Sequence, residues 1–88
     1  MPGRIWTVKF SRKANKMLEK IPANYLESIF SSVDQIEIDP YSGDVKKLKG
    51  ESNLYRKRVE TYRIVYSIYK DILYIEIIEI LHRKDAYR

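Results

Sequence analysis

Eighty-eight residues suffice for one small domain, spanning residues 1–88, and the lack of cysteine excludes disulfide frameworks and cysteine metal sites. The net charge of +5 comes from the second half, because residues 1–45 hold six Lys/Arg and six Asp/Glu whereas residues 46–88 hold eleven and six, and this favours a polyanionic partner. No apolar run reaches the length of a membrane span and the N-terminus has no signal-peptide core, so we expect a cytoplasmic protein.

The first half of the chain predicts one strand followed by two helices. Apolar and polar residues alternate over residues 4–10, as in a strand. Ser11 then occupies an N-cap position, and apolar residues follow at helical spacing until Pro22 breaks the first helix. A second helical period runs from Pro22 to Asp39, because Pro40 disfavours helical geometry in the residue before it.

The second half predicts three consecutive antiparallel strands. Residues 40–52 contain two glycines and are predicted to form a loop. Strands are predicted over residues 54–59, 62–69 and 72–80, and the short breaks between them require antiparallel neighbours. The predicted order is β-α-α-β-β-β. It gives an α+β fold of two layers, with both helices on one face of a small, mainly antiparallel twisted sheet.

The stretch YRKRVETYRIVY, residues 55–66, separates into two faces if Glu60 and Thr61 form a two-residue turn. The mostly apolar face is assigned to the core and carries Tyr55, Lys57, Val59, Tyr62, Ile64 and Tyr66. We expect Lys57 to lie near an edge, where its amine can reach water. The opposite face carries Arg56, Arg58, Arg63 and Val65. A tight primed turn needs positive φ, and Glu60-Thr61 is a poor sequence for it. If the turn is looser, Arg58 and Arg63 do not lie opposite each other.

Arg58 and Arg63 are predicted to face each other, and like charges placed opposite across a ladder repel. Proteins tolerate such costs at functional sites, and a phosphate group would turn the repulsion into attraction. The alternative is that these arginines point into water or pair with Glu76 on the next strand. The last strand returns to the same end of the sheet, so we expect His82, Arg83 and Tyr87 to lie near the arginines.

This set of guanidinium groups, an imidazole and a phenol suits RNA cleavage by the RNA's own 2′-hydroxyl. A base must accept the 2′ proton, cations must stabilise the phosphorane-like transition state, and an acid must protonate the leaving 5′-oxygen. Histidine titrates near neutral pH, whereas arginine keeps its proton. The sequence shows no paired carboxylates, no glycine-rich phosphate loop and no metal-ligand cluster, so we expect metal-independent chemistry without a cofactor.

Three segments resemble the RelE/ParE superfamily of toxins from bacterial and archaeal toxin–antitoxin modules: KKLKG at 46–50, YRKRVETYRIVYSI at 55–68 and HRKDAY at 82–87. The resemblance covers nearly the whole chain and includes the order of the predicted elements. It implies a ribosome-dependent endoribonuclease that cleaves messenger RNA in the ribosomal A site, arrests translation and is neutralised by a RelB-like antitoxin. Glu60 departs from the pattern, because many relatives have glycine in this turn.

The resemblance also implies roles for individual residues. The implied catalytic residues are Arg63, His82, Arg83 and Tyr87. In these roles the arginines stabilise the phosphate, the histidine is a candidate base and the tyrosine stacks on the substrate. The implied RNA-binding residues are Lys46, Lys47, Lys49, Arg56 and Arg58. Two alternatives stay open on the same fold: a ParE-like inhibitor of DNA gyrase, and a non-catalytic module that only binds the antitoxin.

Overall fold

A computed structural model describes residues 6–48, 50 and 53–84 of the chain. Its two helices and five strands are, in chain order, β1 (Thr7–Phe10), α1 (Arg12–Leu18), α2 (Ala23–Ile38), β2 (Val45–Lys47), β3 (Leu54–Val59), β4 (Tyr62–Tyr69) and β5 (Tyr74–His82). A 3-10 turn, Lys70–Ile72, connects the last two strands. The predicted α+β fold is confirmed. The structure adds one short strand, β2, inside the segment predicted to be a loop.

Ser11 joins β1 to α1 through both hydrogen-bonding functions of its hydroxyl group. Its Oγ accepts from the backbone N–H of Ala14 at 3.0 Å, which is the N-cap bond that the sequence predicts. The same hydroxyl donates to the carbonyl oxygen of Ile78 at 2.7 Å. The start of the helix is therefore tied to β5, and Ala14 is fully buried against the sheet.

The longer helix, α2, supplies a stripe of buried apolar side chains. Ile29, Val33 and Ile36 recur at helical spacing and belong to the main core. The segment after the helix is held by Tyr66 of β4, whose buried hydroxyl donates to the carbonyl oxygen of Pro40 at 2.7 Å. Burial raises the pKa of Tyr66 well above its usual value, because the phenolate would lose its hydration.

The five strands form one sheet in the order β1-β5-β4-β3-β2. β1 runs parallel to β5, and the other neighbours are antiparallel. Both helices pack on one face, where the core contains Val59, Tyr62, Ile64, Tyr66, Ile68, Ile75, Ile77 and Ile80 from the strands. In the described part of the chain, no helix is both long and apolar enough to cross a membrane.

The hairpin of β3 and β4 has the register that the sequence predicts. Val59 faces Tyr62 and Arg58 faces Arg63, so Glu60 and Thr61 alone form the turn. Glu60 adopts a positive φ of 56°, a conformation in which glycine is favoured. The tight turn therefore forms despite its sequence.

A β-bulge changes the register between β4 and β5. Tyr66 pairs with Ile77, whereas the preceding Val65 pairs with Glu79, so Ile78 is an extra residue on β5. Beyond the bulge, His82 pairs with Tyr62. An extra residue moves all following side chains to the other face of the sheet. His82 consequently lies at the predicted end of the sheet, but on the helix-covered face with Tyr62 and opposite the face of Arg58 and Arg63.

Lys57 lies inside the layer between helices and sheet, contrary to the expectation that its amine reaches water. The residue is only 4% exposed, and its Nζ donates to Oε1 of Gln35 in α2 at 2.9 Å. Burial lowers the pKa of Lys57, and the nearby Asp39 carboxylate partly offsets that effect. The aliphatic stem thus belongs to the packed layer, while the side-chain amide of Gln35 accepts a hydrogen bond from the amine.

Candidate active site

Three arginines meet in a groove at one end of the sheet. The groove has a volume of about 230 Å³ and is lined by Arg58, Glu60, Tyr62, Arg63 and Arg83, which together are called the arginine groove below. Arg58 comes from β3, Arg63 from the start of β4 and Arg83 from the residues after β5. Three segments of the chain thus supply one positively charged cleft.

The backbone holds the third arginine against the hairpin. The N–H of Arg83 donates to the carbonyl oxygen of Thr61 at 2.6 Å, which fixes the chain after β5 to the β3–β4 turn. Arg58 and Arg63 are cross-strand partners, so their Cα atoms lie opposite each other. The predicted convergence of Arg58, Arg63 and Arg83 is therefore confirmed.

The chemistry of this groove is that of an anion site. Arginine keeps its charge at all physiological pH values and offers a planar fork that matches phosphate oxygens. Bringing such groups close together costs electrostatic free energy in the absence of an anion. A phosphate, or the more highly charged transition state of phosphodiester cleavage, would relieve that cost and gain charge-assisted hydrogen bonds.

Tyr62 forms the apolar part of the groove and is 7% exposed. The edges of two rings pack against it, with centroid distances of 5.4 Å to Tyr25 and 5.2 Å to His82. Sequence reasoning assigned Tyr62 to the core alone. Its position directly after the turn was the available signal, since a first strand residue borders both the core and the open end of the sheet.

His82 lines a separate cavity of about 300 Å³ on the helix side, with Met17, Lys20, Ile21, Tyr62 and Ile80. Its Nδ1 accepts from the backbone N–H of Lys84 at 3.3 Å, which places the proton of the neutral ring on Nε2. Tyr62 borders both this cavity and the arginine groove. The imidazole itself does not line the groove, and Tyr62 separates it from the arginines.

Arg56 does not join the other arginines. It is 7% exposed, and its Nη1 contacts both the carboxylate Oδ1 and the carbonyl oxygen of Asp44 at 3.1 Å. Arg56 lies on the sheet face that the sequence predicts, but it is buried there, and its assignment to RNA binding stays a prediction. Asp44 precedes the short strand β2, where the sequence predicts a loop. The sequence therefore gives no sign that Asp44 is the partner of Arg56.

The lysines before β3 are divided between faces of the sheet. Lys46 pairs with Arg56 and Lys47 with Tyr55, and both lysines are exposed. Lys49 and Tyr87, which the resemblance assigns to RNA binding and substrate stacking, lie outside the described residues. Among residues 6–48, 50 and 53–84, no group of three or more metal-ligating side chains lies together.

Glu60 is the second groove residue that sequence reasoning did not select. Its carboxylate Oε2 accepts from the Ser28 hydroxyl of α2 at 3.0 Å. One feature of the sequence indicated a role for Glu60: it is an acidic residue in a turn that needs positive φ. Such a conformation in a residue other than glycine costs free energy, and it persists where the surrounding structure enforces it.

Comparison with known proteins places these features in a family. The sequence pattern described as ParE toxin of type II toxin–antitoxin system, parDE, matches residues 8–87. Toxin RelE3 of Methanocaldococcus jannaschii is 30% identical over 84 residues, covering 91% of this chain and 93% of the relative. Putative toxin RelE1 of the same organism is 27% identical over 86 residues, covering 94% and 96%.

Solved structures show the same fold. The archaeal RelE–RelB complex from Pyrococcus horikoshii superposes with a TM-score of 0.78 at 29% identity, covering 89% of this chain and 94% of that chain. The toxin–antitoxin complex RelBE2 from Mycobacterium tuberculosis superposes with a TM-score of 0.79 at 26% identity, covering 89% and 98%. The first of these structures is a RelE–RelB complex, and the second is a toxin–antitoxin complex.

Proposed function

Since this chain belongs to the ParE toxin family of type II toxin–antitoxin systems, we propose that it arrests translation by cleaving messenger RNA in the ribosomal A site. Curated relatives that cover nearly the whole chain are RelE toxins, which supports the nuclease branch of the superfamily. The proposed reaction is attack of the RNA 2′-hydroxyl on the adjacent phosphodiester, without a metal ion or other cofactor.

The observation that carries this proposal is the convergence of Arg58, Arg63 and Arg83 in one groove. A phosphodiester gains negative charge on its non-bridging oxygens as the 2′-oxygen attacks. Fixed cations aimed at that position lower the barrier, and removing one such group typically reduces the rate by about 10²–10³-fold. Arg63 and Arg83 take the catalytic phosphate positions in the proposal, and Arg58 binds the backbone.

The remaining site residues take supporting roles in the proposal. Lys46, Lys47 and Lys49 extend the basic surface toward RNA, because cations along a groove follow a phosphate backbone. Tyr87 stacks on a base of the substrate. His82 packs against Tyr62 from the helix side of the sheet and so helps to position a ring that lines the groove. Arg56 acts through the fold, since its guanidinium group is bonded to Asp44.

The decisive experiment is primer extension on a messenger RNA translated in a cell-free reaction with and without the protein. We expect cuts at codons in the A site, and their loss in Arg63→Ala and Arg83→Ala variants whose circular dichroism and melting temperature match the wild type. The proposal fails if translation stops without new 5′ ends, or if both variants cut at the wild-type rate.

We also infer that a RelB-like antitoxin binds this chain, because similar chains from Pyrococcus horikoshii and Mycobacterium tuberculosis were solved in toxin–antitoxin complexes. An acidic and apolar segment would suit the basic groove and its aromatic floor. Calorimetric titration with the product of the neighbouring gene tests this inference. A complex should form and cleavage should cease; no complex, or a complex that still cleaves, contradicts neutralisation.

A second candidate function is inhibition of DNA gyrase, which the match to the ParE toxin family favours. The two functions predict different first effects in a cell that expresses the protein alone. An endoribonuclease should stop translation first, whereas a gyrase inhibitor should stop DNA replication first. A supercoiling assay with purified gyrase makes the same distinction in vitro, and inhibition there without messenger cleavage would favour the second candidate.

A further inference from the structure

The arginine groove needs a proton acceptor if it is to activate a 2′-hydroxyl. Arginine does not give up its proton at physiological pH. His82 lies on the helix-covered face and lines a different cavity. Among the described residues that line the groove, Glu60 is the one carboxylate. Glutamate is an ordinary general base when it is held within reach of the proton it removes.

The backbone presents Glu60 at the rim of the groove in an unusual conformation. It occupies the first central position of the two-residue turn, with φ at 56°. Glycine adopts this conformation without steric cost, whereas a side chain with a Cβ does not. Observed strain of this kind is associated with functional positions. A glutamate here thus costs stability, which makes a role for its side chain worth testing.

Two hydrogen bonds from distant segments restrain the turn. The Ser28 hydroxyl donates to Oε2 of Glu60 at 3.0 Å and connects the carboxylate to α2. The N–H of Arg83 donates to the carbonyl oxygen of Thr61 at 2.6 Å and connects the turn to the chain after β5. The serine bond uses one carboxylate oxygen and leaves Oε1 able to accept a proton. The carboxylate is therefore oriented by a helix that lies outside the groove.

We propose that Glu60 is the general base of the reaction and that Ser28 is its positioning residue. This proposal rests on the proposed nuclease function. The Glu60 carboxylate removes the proton of the 2′-hydroxyl, and the 2′-oxygen forms a bond to phosphorus. The bond between phosphorus and the 5′-oxygen breaks, and that oxygen takes a proton from water. The hydroxide left behind takes the proton from Glu60, which restores the carboxylate. The products are a 2′,3′-cyclic phosphate and a 5′-hydroxyl, so atoms and charge balance.

The test compares three substitutions at one position in single-turnover cleavage of messenger RNA on programmed ribosomes. Glu60→Gln keeps an oxygen that can accept from Ser28 but cannot take the 2′ proton, and we expect a rate loss of about 10²–10⁴-fold. Glu60→Gly suits the positive φ, so it should melt at or above the wild-type temperature while losing activity to the same extent. Glu60→Asp should regain part of the lost rate, because it restores a carboxylate.

The pH profile separates a base from a structural residue. The wild-type rate should rise with pH while the base loses its proton and then level off, and Glu60→Gln should lack this rising limb. Ser28→Ala should lower the rate less than Glu60→Gln and keep the limb, because the carboxylate is still present but less well oriented. An unchanged pH profile in Glu60→Gln would overturn the assignment.

Failure of this proposal differs from failure of the proposed function. If the wild type cleaves and both Glu60→Gln and Glu60→Gly cleave at the same rate or faster, Glu60 is not the base and the nuclease function stands. A faster reaction in those variants would mean that the carboxylate only opposes binding of the phosphate. If the wild type itself produces no cuts, the nuclease function falls and the assignment of Glu60 falls with it.

Discussion

Arg56 and Arg58 are two residues apart on the same face of β3, yet they lie in opposite environments. Arg56 is buried and bonded to Asp44, whereas Arg58 is exposed in the arginine groove. The difference follows from the length of β2, which pairs with residues 55–57 of β3, so that Arg56 has a neighbouring strand and Arg58 lies beyond it. A basic run is therefore not one functional unit. A cation that lies beside a neighbouring strand can stabilise the fold, and a cation that lies past the end of that strand can bind a ligand.

The largest expected effect is on the exposed side of this comparison. Under the proposed function, Arg58→Ala should reduce messenger cleavage by about 10²–10³-fold, because it removes a fixed cation from the groove that would hold the phosphate. The free energy of unfolding should stay within about 0.5 kcal/mol of the wild type, since the side chain is exposed. Primer extension and urea denaturation measure the two quantities. Arg58→Lys is the matched control, which keeps the charge and should retain more activity than alanine.

The buried side of the comparison should give the opposite pattern. Arg56→Ala should lower the free energy of unfolding by about 1–3 kcal/mol, because it removes two hydrogen bonds from a charged group and leaves a gap. The folded fraction should still cleave near the wild-type rate. Asp44→Asn is the control: it weakens the ion pair but keeps an acceptor, and should cost less than about 1 kcal/mol because Asp44 is well exposed. Loss of cleavage without loss of stability in Arg56→Ala would place this arginine at the substrate.

A further prediction concerns Tyr66, whose buried hydroxyl holds the segment after α2. Tyr66→Phe loses the bond to Pro40 and should cost about 1 kcal/mol. The pKa of Tyr66 is raised in the folded protein, so the unfolded chain loses its proton first and wild-type stability should fall as pH rises above about 10. The phenylalanine variant should lose less stability over that range. Denaturation at several pH values measures this difference. An equal loss of stability in both proteins at alkaline pH would show that Tyr66 does not cause the wild-type loss.

The smallest effect is expected at Lys57. In Lys57→Met the lost bond to Gln35 is worth about 1 kcal/mol, and relief from burying a charge offsets it. The pKa of Lys57 is lowered in the folded protein, so the native state releases its proton before the unfolded chain does. Wild-type stability relative to Lys57→Met should therefore rise with pH up to about 10.4. A stability difference that does not change with pH would show that the amine is not desolvated.

Much of the fold could be predicted from local pattern. Alternation over residues 55–66 predicted the pairs Arg58–Arg63 and Val59–Tyr62, and Ser11 predicted the helix start. These features depend on side-chain period and on capping chemistry, which neighbouring residues determine. The strand β2 was missed because Val45–Lys47 is only three residues long and lies between two glycines. Only its pairing with β3 makes this short segment a strand.

The face on which His82 lies could have been questioned from the sequence. Glu76 and Glu79 are three residues apart, so strict alternation would place one of them in the core. The bulge at Ile78 resolves this conflict by putting both glutamates on the face opposite the core isoleucines, and it places His82 on the core face with Ile80. The irregular spacing of the acidic residues was the signal of a bulge, while its position was set by pairing with β4.

The two-layer fold, the β3–β4 hairpin and the family follow from the sequence alone, because periodicity, short turns and motif residues are properties of neighbouring positions. Which cations face the groove and which are buried depends on tertiary contacts. Arg56 depends on Asp44, Lys57 on Gln35 and His82 on one extra residue in β5. Burial and register arise from segments that are distant along the chain. The chemistry of each basic side chain follows from those segments.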